Sequence, residues 1–271
     1  MKTRVFITGG ASGLGRALAM RYARDGALVC IGDINDPRGE ATRRELDALS
    51  PGARYLRTDV THEAELQKVA DELQRDWGGL DVLVNNAGVA QAGAIEQTPL
   101  TDWEWLLDIN LLGVVRGCRV FTPIFKQQRS GCIINIASMA GLLDVPFMAS
   151  YNVSKAGVIA LSGTLAQELM QDGVRVTVAC PSFFKTNLNE TFRTADPETR
   201  KTMERLLESG RLTAEQVADK IVDGAARGDA YILPHLDGSL AWLGKRLLPT
   251  RVYRQLFQRG VLKMLRPGQP R

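Results

Sequence analysis

The stretch RVFITGGASGLG, residues 4–15, decides the fold that the sequence predicts. Residues 4–8 are mostly apolar and predict a buried strand, and the residues from Gly13 onward predict a helix. The glycines between them allow a tight turn and close approach of a phosphate to the backbone. The helix N-terminus adds free N–H groups and a partial positive charge that favour a pyrophosphate. A plain strand-to-helix turn is the alternative, but this position between a first strand and a first helix predicts dinucleotide binding.

Strands and helices alternate through the rest of the chain. The predicted strands are apolar along their whole length, as a sheet covered on both faces requires. Helical crossovers between them predict a parallel sheet. We therefore expect a single-domain, Rossmann-type, doubly wound α/β fold of about seven strands with helices on both faces. The further predicted strands are 27–33, 54–58, 81–84, 132–137, 174–180 and 230–233, and the predicted helices are 13–25, 37–49, 63–77, 103–128, 151–170 and 213–227.

The composition is that of an ordinary globular protein, since 45% of the 271 residues are hydrophobic and 24% are charged. No run reaches the ~18–20 apolar residues that span a bilayer, and a strand beginning near Thr3 predicts that no signal peptide precedes the fold. The cysteines lack Cys-x-x-Cys spacing, so we expect core residues in a reducing, cytoplasmic compartment and no disulfide or metal site. They are Cys30, Cys118, Cys132 and Cys180.

Positive charge is concentrated at the C-terminal end. Residues 241–271 contain eight Lys and Arg and no Asp or Glu, so with a net charge of +4 for the whole chain the remainder sums to −4. This distribution does not indicate a nucleic-acid-binding domain. We expect residues 1–237 to form the dinucleotide-binding and catalytic domain and residues 238–271 a basic, apolar helical extension, broken near Pro249. The extension is predicted either to rest on anionic lipid as a peripheral membrane segment or to cover the substrate cleft or a subunit contact.

Asp33 ends the second predicted strand, 18 residues beyond Gly15. A carboxylate there can accept hydrogen bonds from the hydroxyls of the adenine ribose and would repel a 2′-phosphate, which favours NAD over NADP. Arg16 and Arg38 argue for the phosphate, but Arg16 lies inside the first helix and Arg38 beyond the turn. A capping or surface role for Asp33 is the alternative.

Two further segments follow strands at the same edge of the predicted sheet. Asp59-Val60 ends the third strand, and Asn85-Asn86-Ala87-Gly88 ends the fourth. Ligands of such sheets bind beyond the carboxyl ends of the strands, so both segments are expected near the adenine and ribose. Asp59 could equally cap the helix that follows it.

Tyr151 and Lys155 begin the predicted helix 151–170, four residues apart and therefore on one face. A cation close to a phenol favours the phenolate and lowers its pKa. The pair therefore predicts a tyrosine that exchanges protons, although this spacing also occurs by chance on helices.

Together these motifs resemble the classical short-chain dehydrogenase/reductase family. The resemblance spans about residues 3–233, and the motifs stand in the family's order with similar spacing. They are Thr-Gly-x-x-x-Gly-x-Gly at residues 8–15, Asn-Asn-Ala-Gly at residues 85–88, Asn110, Ser138, and the pair Tyr151 and Lys155. One departure is that the family's Pro-Gly after the sixth strand is Pro181-Ser182, which leaves the shape of that loop open.

The resemblance implies a role for each of these residues. Tyr151 would exchange a proton with the substrate oxygen, Lys155 would lower the tyrosine pKa and bind the nicotinamide ribose, and Ser138 would donate a hydrogen bond to the reacting oxygen. Asn110 would kink its helix and hold a water that links Lys155 to solvent, with local capping as the bland alternative for Ser138 and Asn110. The implied cofactor contacts are Gly9, Ser12, Gly13, Leu14, Gly15, Asp33, Ile34, Asp59, Val60, Asn86, Ala87, Gly88, Tyr151, Lys155, Pro181 and Thr186.

The expected activity is hydride transfer between NAD(H) and a secondary alcohol or ketone, in enzyme class EC 1.1.1.-. The alternatives are an NADP-dependent carbonyl reductase and a non-catalytic dinucleotide-binding sensor or partner protein. Residues 89–96, 139–148 and 182–211 are expected to contact the substrate, and their apolar content favours a lipophilic one (sterol-like, long-chain or aromatic) unless they simply pack on the core. Residues 182–212 are expected to form a lid, and the resemblance implies a homodimer or homotetramer through the helices 103–128 and 151–170.

Overall fold

The computed structural model describes residues 2–256, and at its centre lies a parallel sheet of seven strands. The strand order is β3-β2-β1-β4-β5-β6-β7, so the winding reverses between β1 and β4. Ligands of doubly wound sheets bind beside that switch point, at the carboxyl ends of the strands. The predicted fold class is confirmed. The strands are β1 (Arg4–Thr8), β2 (Leu28–Asp33), β3 (Arg54–Arg57), β4 (Val82–Asn85), β5 (Gly131–Ile136), β6 (Val174–Ala179) and β7 (Tyr231–Ile232).

Helices cover both faces of the sheet, because side chains alternate from one face to the other along each strand. In β1, Val5 and Ile7 pack in the cluster under α1, α2 and α9, while Phe6 packs in the cluster under α3, α5 and α7. The helices are α1 (Gly13–Arg24), α2 (Asp36–Leu49), α3 (Glu63–Trp77), α4 (Leu100–Leu107), α5 (Gly113–Gln128), α6 (Ala140–Leu143), α7 (Ala149–Glu168), α8 (Pro197–Glu208), α9 (Ala214–Arg227) and α10 (Leu236–Leu247).

The predicted strands and helices end within two residues of the observed ones, with one exception. The helix predicted over residues 103–128 is divided into α4 and α5 by a π-helical segment, Asp108–Leu112. This segment contains Asn110, whose amide bonds to another loop rather than to solvent. A single regular helix was therefore the wrong prediction, and the irregularity lies at Asn110, where the resemblance implied one.

The predicted lid contains regular structure that the sequence reading missed. A short 3₁₀ segment occupies Asn187–Thr191, and α8 follows at Pro197–Glu208. Asp196 caps α8 by accepting hydrogen bonds from the N–H groups of Glu198 and Thr199, and Pro197 opens its first turn. Asp-Pro before an amphipathic run is a helix start signal that could have revealed α8.

The C-terminal extension is helical as far as it is described. α10 begins at Leu236, so the predicted boundary between residues 237 and 238 falls inside its first turn. Helical structure resumes at residues 250–256 after a break at Leu248 and Pro249, and residues 257–271 of the predicted extension lie outside the described residues. Within residues 2–256, no helix has the length and apolarity needed to cross a bilayer.

The four cysteines are buried and unpaired, as predicted for core residues. Burial raises the pKa of the thiols of Cys118, Cys132 and Cys180, which keeps them protonated at neutral pH.

Candidate active site

A cleft of about 530 Å³ opens at the carboxyl ends of the strands, beside the switch point between β1 and β4. It brings together nearly all of the residues singled out from the sequence. Gly9, Ser12, Gly13, Leu14, Gly15, Asp33, Ile34, Asp59, Val60, Asn86, Ala87, Gly88, Ser138, Tyr151, Lys155, Pro181 and Thr186 all line it. Asn110 does not line the cleft, but it hydrogen-bonds to Val89, which does.

The glycine-rich turn packs so closely against neighbouring backbone that a side chain would not fit at Gly9 or Gly15. Gly9 has a φ of +64°, and a Cβ there would lie 2.8 Å from Cα of Ala87. A Cβ on Gly15 would lie 2.1 Å from the carbonyl oxygen of Gly9, so any side chain would push the turn and the helix apart. Ser12 is the N-cap of α1, yet its side chain makes no capping hydrogen bond. The start of α1 therefore faces the cleft without a side-chain cap, as a pyrophosphate site requires.

The turn is tied to the segment after β4 by Thr8 and Asn86. The Thr8 hydroxyl accepts hydrogen bonds from the N–H groups of Asn86 and Ala87, at 3.0 and 3.1 Å. The Asn86 amide donates in return to the carbonyl oxygens of Thr8 and Gly9, at 2.9 and 3.1 Å. The two segments at the switch point consequently form one rigid wall. Asn85, by contrast, points into the core, where its amide donates to Asn135.

The carboxylate of Asp33 is held in a fixed orientation at the end of β2. Oδ2 accepts a hydrogen bond from the N–H of Ala11, and Oδ1 accepts one from the N–H of Asn35, both at 3.0 Å. Asp33 is therefore not the helix cap, because Asn35 caps α2 by accepting from the N–H of Arg38. Ile34 beside it is 61% exposed and offers an apolar surface at the rim of the cleft.

Asp59 does not cap α3, whose N-cap is His62, but it shapes the turn before that helix. Its Oδ1 accepts hydrogen bonds from the N–H and the hydroxyl of Thr61, at 2.9 and 2.7 Å, and shapes the turn before α3. These bonds hold its pKa below the usual value, against the opposing effect of partial burial. Asp59 still lines the cleft, and its neighbour Val60 packs against Gly113 at the start of α5.

Asn110 fixes the loop that follows Gly88. Its side chain is fully buried, its Oδ1 accepts from the N–H of Val89 at 2.8 Å, and its Nδ2 donates to the Val89 carbonyl at 2.9 Å. The π-helical segment turns the amide toward that loop, and such single-turn insertions often occur at functional sites. Asn110 thus positions the wall of the cleft opposite Lys155.

Tyr151, Lys155 and Ser138 meet deep in the cleft. The Lys155 ammonium lies 5.7 Å from the centre of the Tyr151 ring and donates a hydrogen bond to the Ile136 carbonyl oxygen at 3.0 Å. The Ser138 hydroxyl accepts from the N–H of Ala140 at 3.1 Å, which anchors it at the end of β5. The predicted one-face arrangement of Tyr151 and Lys155 is therefore present.

The predicted lowering of the tyrosine pKa is not what this structure shows. Burial raises the pKa of Tyr151 to about 12, and the nearby Ser138 hydroxyl only partly opposes that rise. Burial also lowers the pKa of Lys155 to about 8, because an ammonium loses hydration in the closed cleft. The reason for the error is that spacing on a helix reveals proximity to a cation but not the desolvation that the surrounding loops impose.

Residues of the segment 182–212, predicted to form a lid, contact both walls of the cleft. Thr186 approaches the glycine turn so closely that a Cβ on Gly13 would lie 2.8 Å from its Oγ1. Glu190 accepts two hydrogen bonds from the guanidinium of Arg38, at 2.6 and 3.2 Å. Arg193 stacks on Trp105 with 3.7 Å between the guanidinium carbon and the ring centre. Gly13, Thr186 and Arg38 were singled out from the sequence, but none of these pairings was predicted, because each joins distant parts of the chain.

His235 contacts the loop at Pro181-Ser182, where the sequence departs from the family's Pro-Gly. Its Nδ1 accepts a hydrogen bond from the N–H of Ser182 at 3.1 Å, which holds the loop after β6 against the start of α10. Burial lowers the pKa of His235, so the ring is neutral and able to accept at neutral pH. The bond uses the backbone N–H, which glycine also has, so the structure gives no reason for serine at this position; sequence reasoning did not single out His235.

The substrate end of the cleft is apolar. Tyr151 packs in a cluster with Val89, Met148 and three lid residues, Phe192, Met203 and Leu207. Residues from all three predicted contact segments, 89–96, 139–148 and 182–211, line the same cleft. Asp237, Gly238 and Ala241 of α10 also line the cleft. The sequence had left undecided whether the C-terminal extension contacts the cleft.

A doubly wound parallel sheet, with a glycine-rich phosphate turn and a buried Tyr-Lys pair at its switch point, defines a nucleotide-dependent oxidoreductase of Rossmann type. Residues 3–197 match the family described as short chain dehydrogenase, and the chain belongs to this family.

Several known proteins resemble this chain over most of its length. It is 31% identical to the 3-oxoacyl-(acyl-carrier-protein) reductase of Thermotoga maritima over 232 residues, covering 86% of this chain and 94% of that protein. It is 38% identical to the 3-alpha-(or 20-beta)-hydroxysteroid dehydrogenase of Mycobacterium tuberculosis over 184 residues, covering 68% of this chain and 70% of that protein. A short chain dehydrogenase/reductase of Burkholderia phymatum, solved in complex with NAD, superposes with a TM-score of 0.86 at 30% identity and covers 100% of this chain and 98% of that chain.

Proposed function

We propose that the protein transfers a hydride between NAD(H) and a lipophilic secondary alcohol or ketone, with Tyr151 as the acid/base. The observation that carries this proposal is the position of Tyr151, which lines the same cleft as the glycine turn and packs within an apolar cluster that the lid completes. A dinucleotide bound at the turn would extend toward Tyr151, and an apolar substrate would fill the space beyond it.

The chain's own residues supply proton transfer, orientation and exclusion of water. With a pKa of about 12, Tyr151 is protonated at neutral pH and is ready to donate its proton to a carbonyl oxygen. For alcohol oxidation it must first lose that proton, which the positive charge of Lys155 favours. Ser138 orients the reacting oxygen by a hydrogen bond, and the lid residues Phe192 and Met203 keep water from it.

The residues of the cleft fit a dinucleotide. The glycine turn and the start of α1 would hold the pyrophosphate, Asp33 the adenine ribose, and Lys155 the nicotinamide ribose. When bound, the nicotinamide ring accepts or supplies the hydride, which no side chain of the protein can do.

NAD is favoured over NADP by the charges around Asp33. Its carboxylate faces the cleft, where it would accept from ribose hydroxyls and repel a 2′-phosphate. Arg38 is the cation that argued for NADP, but its guanidinium is paired with Glu190 of the lid. The ion pair therefore leaves Arg38 less able to bind a phosphate, which supports NAD.

Asp33→Asn is expected to reduce the preference for NAD over NADP by at least about tenfold. The amide keeps the shape but loses the charge, and a hydrogen bond to a charged group contributes about 1.5–3 kcal/mol, which corresponds to roughly ten- to a hundredfold in Kd. The Kd values of both dinucleotides, measured by calorimetry, test this result. Asp71→Asn, at an exposed position on α3, is the matched control. An unchanged ratio of the two Kd values would show that Asp33 does not select the cofactor.

The names of the relatives support the reaction class but differ in substrate, so the substrate class is inferred from the residues of this chain's own cleft. One is a hydroxysteroid dehydrogenase and another reduces a 3-oxoacyl thioester. Both act on a carbon bearing a single oxygen, as alcohol or ketone. The apolar cluster of Phe192, Met203 and Leu207 favours a steroid-like, long-chain or aromatic substrate over a small polar one.

A substrate screen tests the proposal. Purified protein with NAD is mixed with secondary alcohols of increasing lipophilicity, including sterols and long-chain alcohols, and the absorbance of NADH is followed. We expect kcat/KM to rise with lipophilicity, because each buried CH₂ contributes about 0.8 kcal/mol. A parallel series with NADPH and ketones separates the alternative, an NADP-dependent carbonyl reductase. Dinucleotide binding without turnover of any compound would favour the other alternative, a non-catalytic sensor or partner protein.

A homodimer or homotetramer is part of the same proposal. The helices expected to meet, α5 with the preceding π-helical segment and α7, leave Leu112 and Val153 45% and 50% exposed. Such apolar positions on long helices are typical of subunit contacts. A cytoplasmic location, expected from the unpaired cysteines, also remains a proposal.

A further inference from the structure

One face of α10 carries leucines that the other residues of the described range 2–256 leave exposed. Leu236, Leu240, Leu243 and Leu247 follow one another at intervals of four, three and four residues and therefore lie in one stripe. Their exposed fractions are 74%, 59%, 49% and 73%. Single exposed leucines are ordinary, but an aligned stripe of them marks a surface that binds something.

The opposite face of α10 is packed, so the stripe cannot turn inward. A Cβ on Gly238 would lie 3.0 Å from the Met139 side chain, which shows how closely the helix approaches the cleft wall. Lys245 donates hydrogen bonds to the Leu142 carbonyl at 2.8 Å and to the Asp144 carboxylate at 2.5 Å. These contacts fix the rotation of the helix about its axis and leave the leucines on the outside.

The break after α10 and the helical residues 250–256 carry further exposed apolar side chains. Leu248, Val252 and Leu256 are 40%, 43% and 56% exposed and again stand four residues apart. The basic residues Arg246, Arg251 and Arg254 are exposed among them. From Gly238 to Leu256 there is no Asp or Glu, and the sequence adds four more basic residues and no acidic one up to Arg271.

We propose that α10 and residues 248–256 form a docking surface for an anionic lipid bilayer. The exposed leucines would enter the boundary between headgroups and acyl chains, while the arginines would bind lipid phosphates. A second copy of the chain fits this surface less well. Pairing two such faces would bring their arginines together without acidic partners from residues 238–256.

The docking surface stands directly behind the substrate cleft. Asp237, Gly238 and Ala241 line the cleft from the same helix whose other face carries the leucines. Bilayer contact would therefore leave only the thickness of α10 between the lipid and this wall of the cleft. Binding to the bilayer does not require the reaction proposed above, so the two can fail separately.

Co-sedimentation of the full chain with vesicles tests the docking surface. Vesicles of phosphatidylglycerol and phosphatidylcholine are compared with vesicles of phosphatidylcholine alone, at low salt and in 0.5 M NaCl. We expect at least about tenfold stronger binding to the anionic vesicles at low salt, with a large loss at high salt, because surface charges are screened. Equal or negligible binding to both vesicle types would overturn the proposal.

Two sets of variants locate the binding to the proposed face. The double variant Leu240→Glu and Leu247→Glu is expected to lose vesicle binding at least about tenfold, and Arg251→Gln with Arg254→Gln to reduce it about three- to tenfold. Leu49→Glu, at a 44% exposed position at the end of α2, is the matched control and should bind as the wild type does. Circular dichroism verifies that each variant folds.

Either of two results would contradict the proposal. Loss of binding in Leu49→Glu equal to that in the double variant would show that any added charge prevents association. A full chain that does not bind vesicles, but whose mass in solution falls when Leu240 and Leu247 are replaced, would show that a second copy covers the leucines.

Discussion

Replacing Tyr151 with phenylalanine is expected to lower kcat by about 10³-fold or more while NAD binds with nearly unchanged Kd. General acid–base catalysis contributes roughly 10²–10⁴-fold, and only the hydroxyl is removed. The ring remains in its apolar cluster with Met148 and Phe192, so the cleft keeps its shape. Steady-state kinetics with the best substrate of the screen and calorimetric titration with NAD measure the two effects.

Tyr231→Phe is the control for this substitution. Tyr231 is 42% exposed and stacks on Trp242, a contact that a phenyl ring preserves. Its turnover should equal that of the wild type. Near-normal turnover of Tyr151→Phe would remove the tyrosine from the mechanism, whatever the control shows.

Lys155→Met is expected to lower kcat by about 10²-fold or more and to weaken NAD binding. The ammonium provides positive charge beside the phenol, and removing one donor of this kind from a preorganised site typically costs about 10²–10³ in kcat. Methionine fills a similar volume, so an effect on packing is not expected to dominate. Kinetics and NAD titration at pH 7 test both parts of this expectation.

The same variant should change how stability depends on pH. Burial lowers the pKa of Lys155 from 10.5 to about 8, so between these values the unfolded chain binds a proton that the folded protein has lost. Wild-type stability therefore rises with pH across that window, and the buried ammonium costs about 3 kcal/mol below it. Lys155→Met removes this cost, but it leaves the Ile136 carbonyl without its partner, at about 1–3 kcal/mol.

We therefore expect Lys155→Met to match or exceed the wild type in free energy of unfolding at pH 7, and to lose any advantage as the pH rises from about 8 toward 10.5. Urea denaturation at several pH values measures the difference. Lys68→Met, at an exposed position on α3, should show no such pH dependence. A difference between Lys155→Met and the wild type that stays constant over this range would mean that the ammonium is not desolvated.

Local patterns were enough to predict most of the fold and the centre of the site. The glycine turn, Asp33 and the Tyr151–Lys155 pair depend on residues close together in the sequence, and their spacing is tied to one strand end or one helix face. The ends of the strands were predictable for the same reason, because each strand is a continuous apolar run in the sequence. Asp59 remained ambiguous because a carboxylate after a strand can face a ligand or cap the next helix. In the structure it lines the cleft and bonds to Thr61 in the turn, and it does not cap α3.

What escaped prediction depends on contacts between distant segments. Arg38 and Glu190 are 152 residues apart, and Ser182 and His235 are 53 apart, so no periodicity connects them. The pKa of Tyr151 rises rather than falls because the side chain is buried, in a cluster that joins residues from distant segments, from Val89 to Leu207. The sequence predicted an apolar, basic helix after residue 237, but which of its faces is exposed became clear only when the packed face of α10 was known.

The transfer of deuterium from substrate to cofactor tests the central proposal most directly. The best secondary alcohol of the screen, deuterated at its carbinol carbon, is incubated with the protein and NAD, and the reduced cofactor is analysed by mass spectrometry. We predict that the NADH carries the deuterium and that Tyr151→Phe forms it about 10³-fold more slowly. NADH without deuterium, or no NADH from any alcohol while NAD binds normally, would contradict hydride transfer at this site.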